Sequence, residues 1–138
     1  MKTQILFLCT HNSCRSQMAE ALCNHYLGDR CHAFSAGTEA TRVNPLAIRV
    51  LAELGIDTSH QYSKTMDEFA GQTFDHVVTL CGDANEKCPL FFGGVHRLHH
   101  GFDDPSRLNY SEEDVLPEFR RVRDEIKIWI IDYFGGAQ

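Results

Sequence analysis

Apolar residues fall along this chain in short blocks with two different spacings. Gln4 to Leu8 is a compact apolar run closed by the polar cluster Thr10-His11-Asn12-Ser13, which suits a strand buried in a parallel sheet. From Ser16 to Leu27 the spacing changes. Met18, Ala19, Leu22 and Tyr26 recur at helical steps, and Gly28 ends the run. Cys31 to Ser35 reads as a second strand, closed by Ala36-Gly37. Asn44-Pro45 opens a second helix lasting to about Leu54, with Leu46, Val50, Leu51 and Leu54 on one face and Gly55 after it. Asp75 to Leu80 is a third strand and, like the first, runs into a cysteine, Cys81. Val95 to His99 is a fourth. Glu112 to Phe134 is the longest helical pattern, and Pro117 puts the start of its regular part about there.

Strands that alternate with helices predict an α/β fold, here three α/β/α layers around a four-stranded parallel sheet, in one domain over 1–138. Ligands of such sheets bind beyond the carboxyl ends of the strands. Cys9 and Cys81 both project there, so they are treated together.

Composition narrows the function classes. Hydrophobic residues at 43% and charged residues at 23% are ordinary for a soluble globular chain. No apolar run approaches the roughly 20 residues of a membrane span, and no signal-peptide pattern follows Met1-Lys2-Thr3, so a cytoplasmic protein with no membrane partner is expected. A formal charge of -6 argues against a nucleic-acid partner. An acidic chain that handles an anion must concentrate positive potential locally, with backbone amides and an arginine. Six cysteines without an export signal read as reactive thiols rather than structural disulfides.

The stretch Cys9-Thr10-His11-Asn12-Ser13-Cys14-Arg15-Ser16 supplies that potential. A strand turning tightly into a helix leaves loop and first-turn N–H groups convergent on an oxyanion, aided by the positive end of the helix. A thiol in such a nest is favoured as thiolate. Arg15 offers a planar fork for two oxygens of a tetrahedral anion, and the Ser16 hydroxyl is placed to donate to the Cys9 sulfur. Asn12 is read as a brace for the loop. A lone C-x5-R is common; the strand before it and the helix after it make it specific.

This loop resembles the phosphate-binding loop of the low-molecular-weight tyrosine phosphatases. The whole chain is more similar to their redox relatives, the thioredoxin-coupled arsenate reductases. Ser16-Gln17-Met18-Ala19-Glu20, Ser35-Ala36-Gly37, Val77-Val78-Thr79-Leu80-Cys81, Cys88-Pro89, Gly101-Phe102-Asp103-Asp104-Pro105 and Phe119 to Ile126 carry that resemblance, in order along the chain. It implies the phosphatase-like fold, arsenate held by Thr10, His11, Asn12, Ser13, Cys14, Arg15 and Ser16, and catalysis by Cys9, Cys81, Cys88, Arg15 and Asp104. Cys9 would attack arsenate while Asp104 protonates the departing oxygen, a role for which Asp103 is the rival. Cys81 would then attack the Cys9 sulfur and release arsenite, and Cys88 would move the disulfide to Cys81-Cys88 for thioredoxin to reduce.

The resemblance further implies arsenic detoxification, no bound cofactor, no metal, and thioredoxin as the external reductant and partner. The separate Cys81 and Cys88 favour it over glutathione with glutaredoxin. A monomer is expected. A disulfide needs Cα atoms about 4.4 to 6.8 Å apart, so the segment Gly82 to Gly94 is expected to rearrange during the relay.

Cys14 is read as structural, and Cys23 and Cys31 as buried small hydrophobes. His11 stands where the family usually has glycine, so it either tolerates the loop geometry, facing solvent, or takes an unusual conformation. Lys64 stands where some relatives place an aspartate beside a potassium ion near Asn12, Glu20 and Ser35, so its ammonium is expected to replace that cation. His96, His99 and His100 lack carboxylate or cysteine neighbours at ligand spacing and are not read as a metal site. Two other readings stay open. One is a low-molecular-weight phosphatase, opposed by Cys81, Cys88 and by Ser106 after the Asp-Pro step. The other is a non-enzymatic thiol protein that binds arsenite or senses oxidants.

Overall fold

The computed structural model describes residues 2–81, 91, 93–108 and 110–135. Its strands are β1 (Thr3–Cys9), β2 (Cys31–Gly37), β3 (Phe74–Cys81) and β4 (Gly94–Phe102). They form one parallel sheet in the order β2-β1-β3-β4. Helices α1 (Arg15–Tyr26) and α2 (Pro45–Ala52) follow the first two strands, and α3 (Glu112–Phe134) closes the chain. The four-stranded parallel sheet and the alternation of elements are those the apolar pattern predicts.

Side chains alternate across the sheet, and β1 divides the core accordingly. Ile5 and Phe7 face the helices, packing with Met18 and Leu22 of α1, Val50 and Leu51 of α2, and Phe119, Val122, Ile126 and Ile130 of α3. Leu6 and Leu8 face the other way, onto Ala36, Phe69, Phe74, Val77 and Phe91. On that side the cover is a 3₁₀ turn, Met66–Phe69, and aromatic packing. The Phe34, Phe69 and Phe74 rings meet edge-on at 5.5 to 5.7 Å, a favoured aromatic geometry. Among the described residues all three α-helices lie on the first face, so the third of the expected α/β/α layers is there a 3₁₀ turn with aromatic side chains rather than an α-helix.

Two boundaries differ from the expectations. Helix α3 begins at Glu112 rather than near Pro117. Ser111 caps it, its Oγ accepting the Asp114 N–H at 3.4 Å and donating to Asp114 Oδ2 at 2.9 Å, and the three acidic residues of the first turn suit the positive helix end. Pro117 then removes one backbone hydrogen bond from a helix anchored on both sides by buried Leu116 and Phe119. Strand β4 runs three residues past His99, because a register shift between Thr79 and Cys81 keeps it paired with β3 as far as Cys81 and Phe102. No described helix is long and apolar enough to cross a membrane.

Candidate active site

The site lies where β1 and β3 end side by side. Cys9 is the last residue of β1 and Cys81 the last of β3, and both are buried. After Cys9 the chain turns through a loop in which three carbonyls are tied outward. Thr10 O accepts from Glu39 N–H at 3.1 Å and Thr38 Oγ1 at 3.0 Å, His11 O from Ser63 Oγ at 3.0 Å, and Ser13 O from Asn44 N–H at 2.9 Å. In a planar trans peptide the N–H points opposite to its C=O, so this fastening turns the loop amides inward. Helix α1 has no side-chain cap at Cys14 and no acidic residue in its first turn, which leaves its positive end open to an anion.

The left-handed residue of the loop is Asn12, with φ of 48°, not His11. Asn tolerates that conformation, and here it is held from every side. Gln17 Nε2 donates to Asn12 Oδ1 at 2.8 Å and to Asn12 O at 3.1 Å, and the Lys64 N–H donates to Oδ1 at 2.9 Å. Asn12 Nδ2 donates to Ser16 Oγ at 2.8 Å, and Ser16 Oγ lies 2.8 Å from the Cys9 sulfur. His11 faces solvent, its Nε2 3.2 Å from Glu39 Oε2, so its side chain adopts the first of the two outcomes stated for it.

Arg15 is 3% exposed. Its Nη1 donates to Leu80 O at 3.3 Å and Phe102 O at 3.2 Å, which anchors the guanidinium on the ends of β3 and β4, and its Nη2 lies 3.5 Å from Asp104 Oδ2. The other Asp104 oxygen accepts from Ser106 N–H at 3.0 Å and Ser106 Oγ at 2.5 Å, fixing the carboxyl at the start of a 3₁₀ turn, Pro105–Arg107. Asp103 points elsewhere, accepting from Arg121 on α3 at 3.0 Å, and is mostly exposed. Of the two aspartates, Asp104 is therefore the one that meets the loop.

Cys14 is buried, and burial pushes its thiol well up, with Asp104 and Cys9 adding to the effect and Arg15 opposing it. A thiol held protonated in this way is a poor nucleophile. Cys88 lies outside the described residues, as does most of Gly82 to Gly94. The histidines have other partners: His96 stacks on His76 at 5.2 Å, His99 Nδ1 lies 2.7 Å from Thr79 Oγ1, and His100 stacks on Trp129 at 4.7 Å. Among the described residues no three metal-ligating side chains converge.

Three contributors escaped the sequence reading. Gln17 is fully buried, and Gln61 Nε2 donates to its Oε1 at 2.7 Å, so two glutamines brace Asn12 in series. Gly37 at the end of β2 lies against the loop, where a Cβ would stand 2.6 Å from Thr10 O and 2.8 Å from Cys9 O. Only glycine fits there without moving the loop.

The sequence pattern described as low molecular weight phosphotyrosine protein phosphatase matches residues 4–134. A Bacillus subtilis (strain 168) protein named arsenate reductase is 52% identical over 122 residues, 88% of each chain. A solved structure titled an arsenate reductase in the phosphate binding state superposes with a TM-score of 0.80 at 32% identity, covering 98% of both chains. A Corynebacterium glutamicum thioredoxin-dependent arsenate reductase superposes with a TM-score of 0.62 at 29% identity, over 98% of this chain and 64% of that one.

Proposed function

The chain belongs to the low molecular weight phosphotyrosine protein phosphatase family, and within it we propose that the chain is an arsenate reductase, converting arsenate to arsenite. The observation that carries this reading beyond the shared anion loop is Cys81. It is a buried cysteine at the end of the strand beside the one that ends in Cys9, and it adjoins Leu80, whose carbonyl anchors Arg15. Phosphate transfer has no use for a second thiol there; oxidation of the first one does.

Arsenate enters the loop against the inward amides and Arg15. The Cys9 thiolate attacks arsenic, an As–O bond breaks, and Asp104 gives the departing oxygen its proton so that it leaves as water. Cys81 then attacks the Cys9 sulfur. The S–As bond breaks with its electron pair going to arsenic, which leaves as arsenite, and a Cys9-Cys81 disulfide remains. Cys88 attacks Cys81 and frees Cys9, and the Cys81-Cys88 disulfide is reduced by the dithiol of thioredoxin. The electrons come from thiols throughout, so no bound cofactor or metal is required. One chain supplies every group, and a monomer working in the reducing cytoplasm suits the scheme.

The test is NADPH oxidation with thioredoxin and thioredoxin reductase, started by arsenate. Wild type should turn over many times, and Cys88→Ser at most once, trapped as a Cys9-Cys81 disulfide. No arsenate-dependent oxidation together with brisk aryl-phosphate hydrolysis would make the chain a phosphatase. Tight arsenite binding without consumption of reductant would make it a sequestering protein.

A further inference from the structure

Two cysteines take no part in this relay. Cys23 lies on α1 and Cys31 opens β2, both free thiols buried in the core between helices and sheet. The chain between them folds back tightly, with the Leu27 N–H donating to Cys23 O at 2.8 Å and the Cys31 N–H to Leu27 O at 2.8 Å. The residue after Cys23, Asn24, clasps β2, its Oδ1 accepting the Ala33 N–H at 2.8 Å and its Nδ2 donating to Ala33 O at 3.0 Å. Cys31 and Ala33 stand two apart on a strand and share the face packed on α1. The fold-back and the Asn24 clasp thus bring Cys23 and Cys31 onto one packed face, neighbours in the same core.

We propose that Cys23 and Cys31 form a second, reversible dithiol–disulfide couple, closed by peroxide and separate from the catalytic cysteines, that ties α1 to β2. Cys31 follows the exposed residues Asp29 and Arg30 and is 3% exposed against 0% for Cys23, so the first oxidation is assigned to it. Its sulfur attacks one peroxide oxygen, the O–O bond breaks, and the departing hydroxide takes the thiol proton and leaves as water. Cys23 then attacks the sulfur of the resulting sulfenic acid. The S–O bond breaks, and the hydroxide takes the Cys23 proton and leaves as a second water. The sulfurs lose two electrons in all and the peroxide gains them; a dithiol reductant returns them. Burial raises both thiols, so closure is slower than oxidation at the active site. The tie joins the two elements that carry the anion loop. Helix α1 begins at Arg15 and Ser16, and β2 ends at Gly37 beneath Thr10.

The experiment uses the full chain with Cys9, Cys81 and Cys88 each changed to Ser, treated with hydrogen peroxide and mapped without reduction. Trypsin cuts after Arg15, Arg30 and Arg42, so Cys23 and Cys31 fall on separate peptides, 16–30 and 31–42. The expected result is loss of two hydrogens and a linked 16–30/31–42 pair, both reversed by dithiothreitol. A rise in Tm of about 5 °C should accompany them. The same protein with Cys31→Ala should show neither link nor rise. Wild type, mapped alongside, should give the same linked pair and report through Cys9 oxidation that the peroxide was active. If both thiols remain open to alkylation after unfolding, or if either pairs with Cys14, the proposal is overturned.

Discussion

The Ser16 hydroxyl stands 2.8 Å from the Cys9 sulfur while accepting a hydrogen bond from Asn12 Nδ2 at 2.8 Å, which leaves its own proton to point at the sulfur. Three residues thus form a chain of donors, amide to hydroxyl to sulfur, ending on the nucleophile. A hydrogen bond to a charged group is worth about 1.5 to 3 kcal/mol. Ser16→Ala should therefore slow both alkylation of Cys9 by iodoacetamide at neutral pH and arsenate turnover by about tenfold or more. Its Tm should stay close to that of wild type. An unchanged alkylation rate would remove Ser16 from the activation of Cys9.

Asp104 and Asp103 are neighbours with opposite surroundings. Asp104 Oδ2 lies 3.5 Å from Arg15 in the loop, whereas Asp103 is held by Arg121 on the outer surface. Loss of a positioned general acid costs about 10² to 10⁴ in rate. Asp104→Asn should lower kcat for arsenate in that range, and Asp103→Asn should stay within about twofold, because an exposed ion pair contributes little. The reverse order would give the proton transfer to Asp103.

Much of this arrangement was legible in the residues, and the reason is locality. The run ending in Cys9, the polar turn and the helical spacing after Ser16 lie within one short stretch, so strand, loop and helix could be read together. The Cys9–Ser16 contact followed from the same stretch. What escaped depends on partners distant in sequence. Gln17 matters because its amide reaches Tyr62 O at 2.9 Å as well as Asn12, and Gly37 because its strand passes beneath Thr10. Nothing in spacing alone brings Asp104 to Arg15; that pairing came from resemblance, and the chain's path through β4 puts it there. The start of α3 was misjudged because the Ser111 cap outweighs the single bond that Pro117 forgoes.

His76 makes stability depend on pH. It sits on β3 against the rings of His96 at 5.2 Å and Phe134 at 5.1 Å, and its Nδ1 is buried without a hydrogen-bond partner among the described residues. Burial, then the neighbouring His96, holds its pKa below the ordinary 6.5, against the pull of Asp75. Between that ordinary value and the lower folded one, the unfolded chain binds a proton that the folded chain declines. Stability from this group is then present above about 6.5 and falls as the pH drops through the window beneath it. His76→Phe should flatten the decline in the urea midpoint between about pH 7 and pH 5. Parallel declines in variant and wild type would place the acid sensitivity elsewhere.

Lys64 and Glu20 form a buried pair directly behind the anion loop. Lys64 Nζ lies 3.9 Å from Glu20 Oε1 and donates to Tyr62 O at 2.8 Å, while Ser35 Oγ donates to the same Glu20 oxygen at 2.6 Å. Burial pushes Glu20 up and Lys64 down, and each charge pulls the other back. The Lys64 backbone joins the pair to the loop, its N–H on Asn12 Oδ1 and its carbonyl accepting from Gly37 N–H at 3.0 Å. The ammonium, 3.9 Å from Glu20 Oε1, is itself the countercharge of that carboxylate, so wild-type turnover should be the same in potassium as in sodium at equal ionic strength. Lys64→Met would leave the carboxylate buried without its partner, at a cost of about 3 kcal/mol, and potassium should then restore part of the lost activity. Adding Glu20→Gln should recover stability and abolish that response, since no charge is left to neutralise. A several-fold stimulation of wild type by potassium would show that the ammonium does not fill the cation's place.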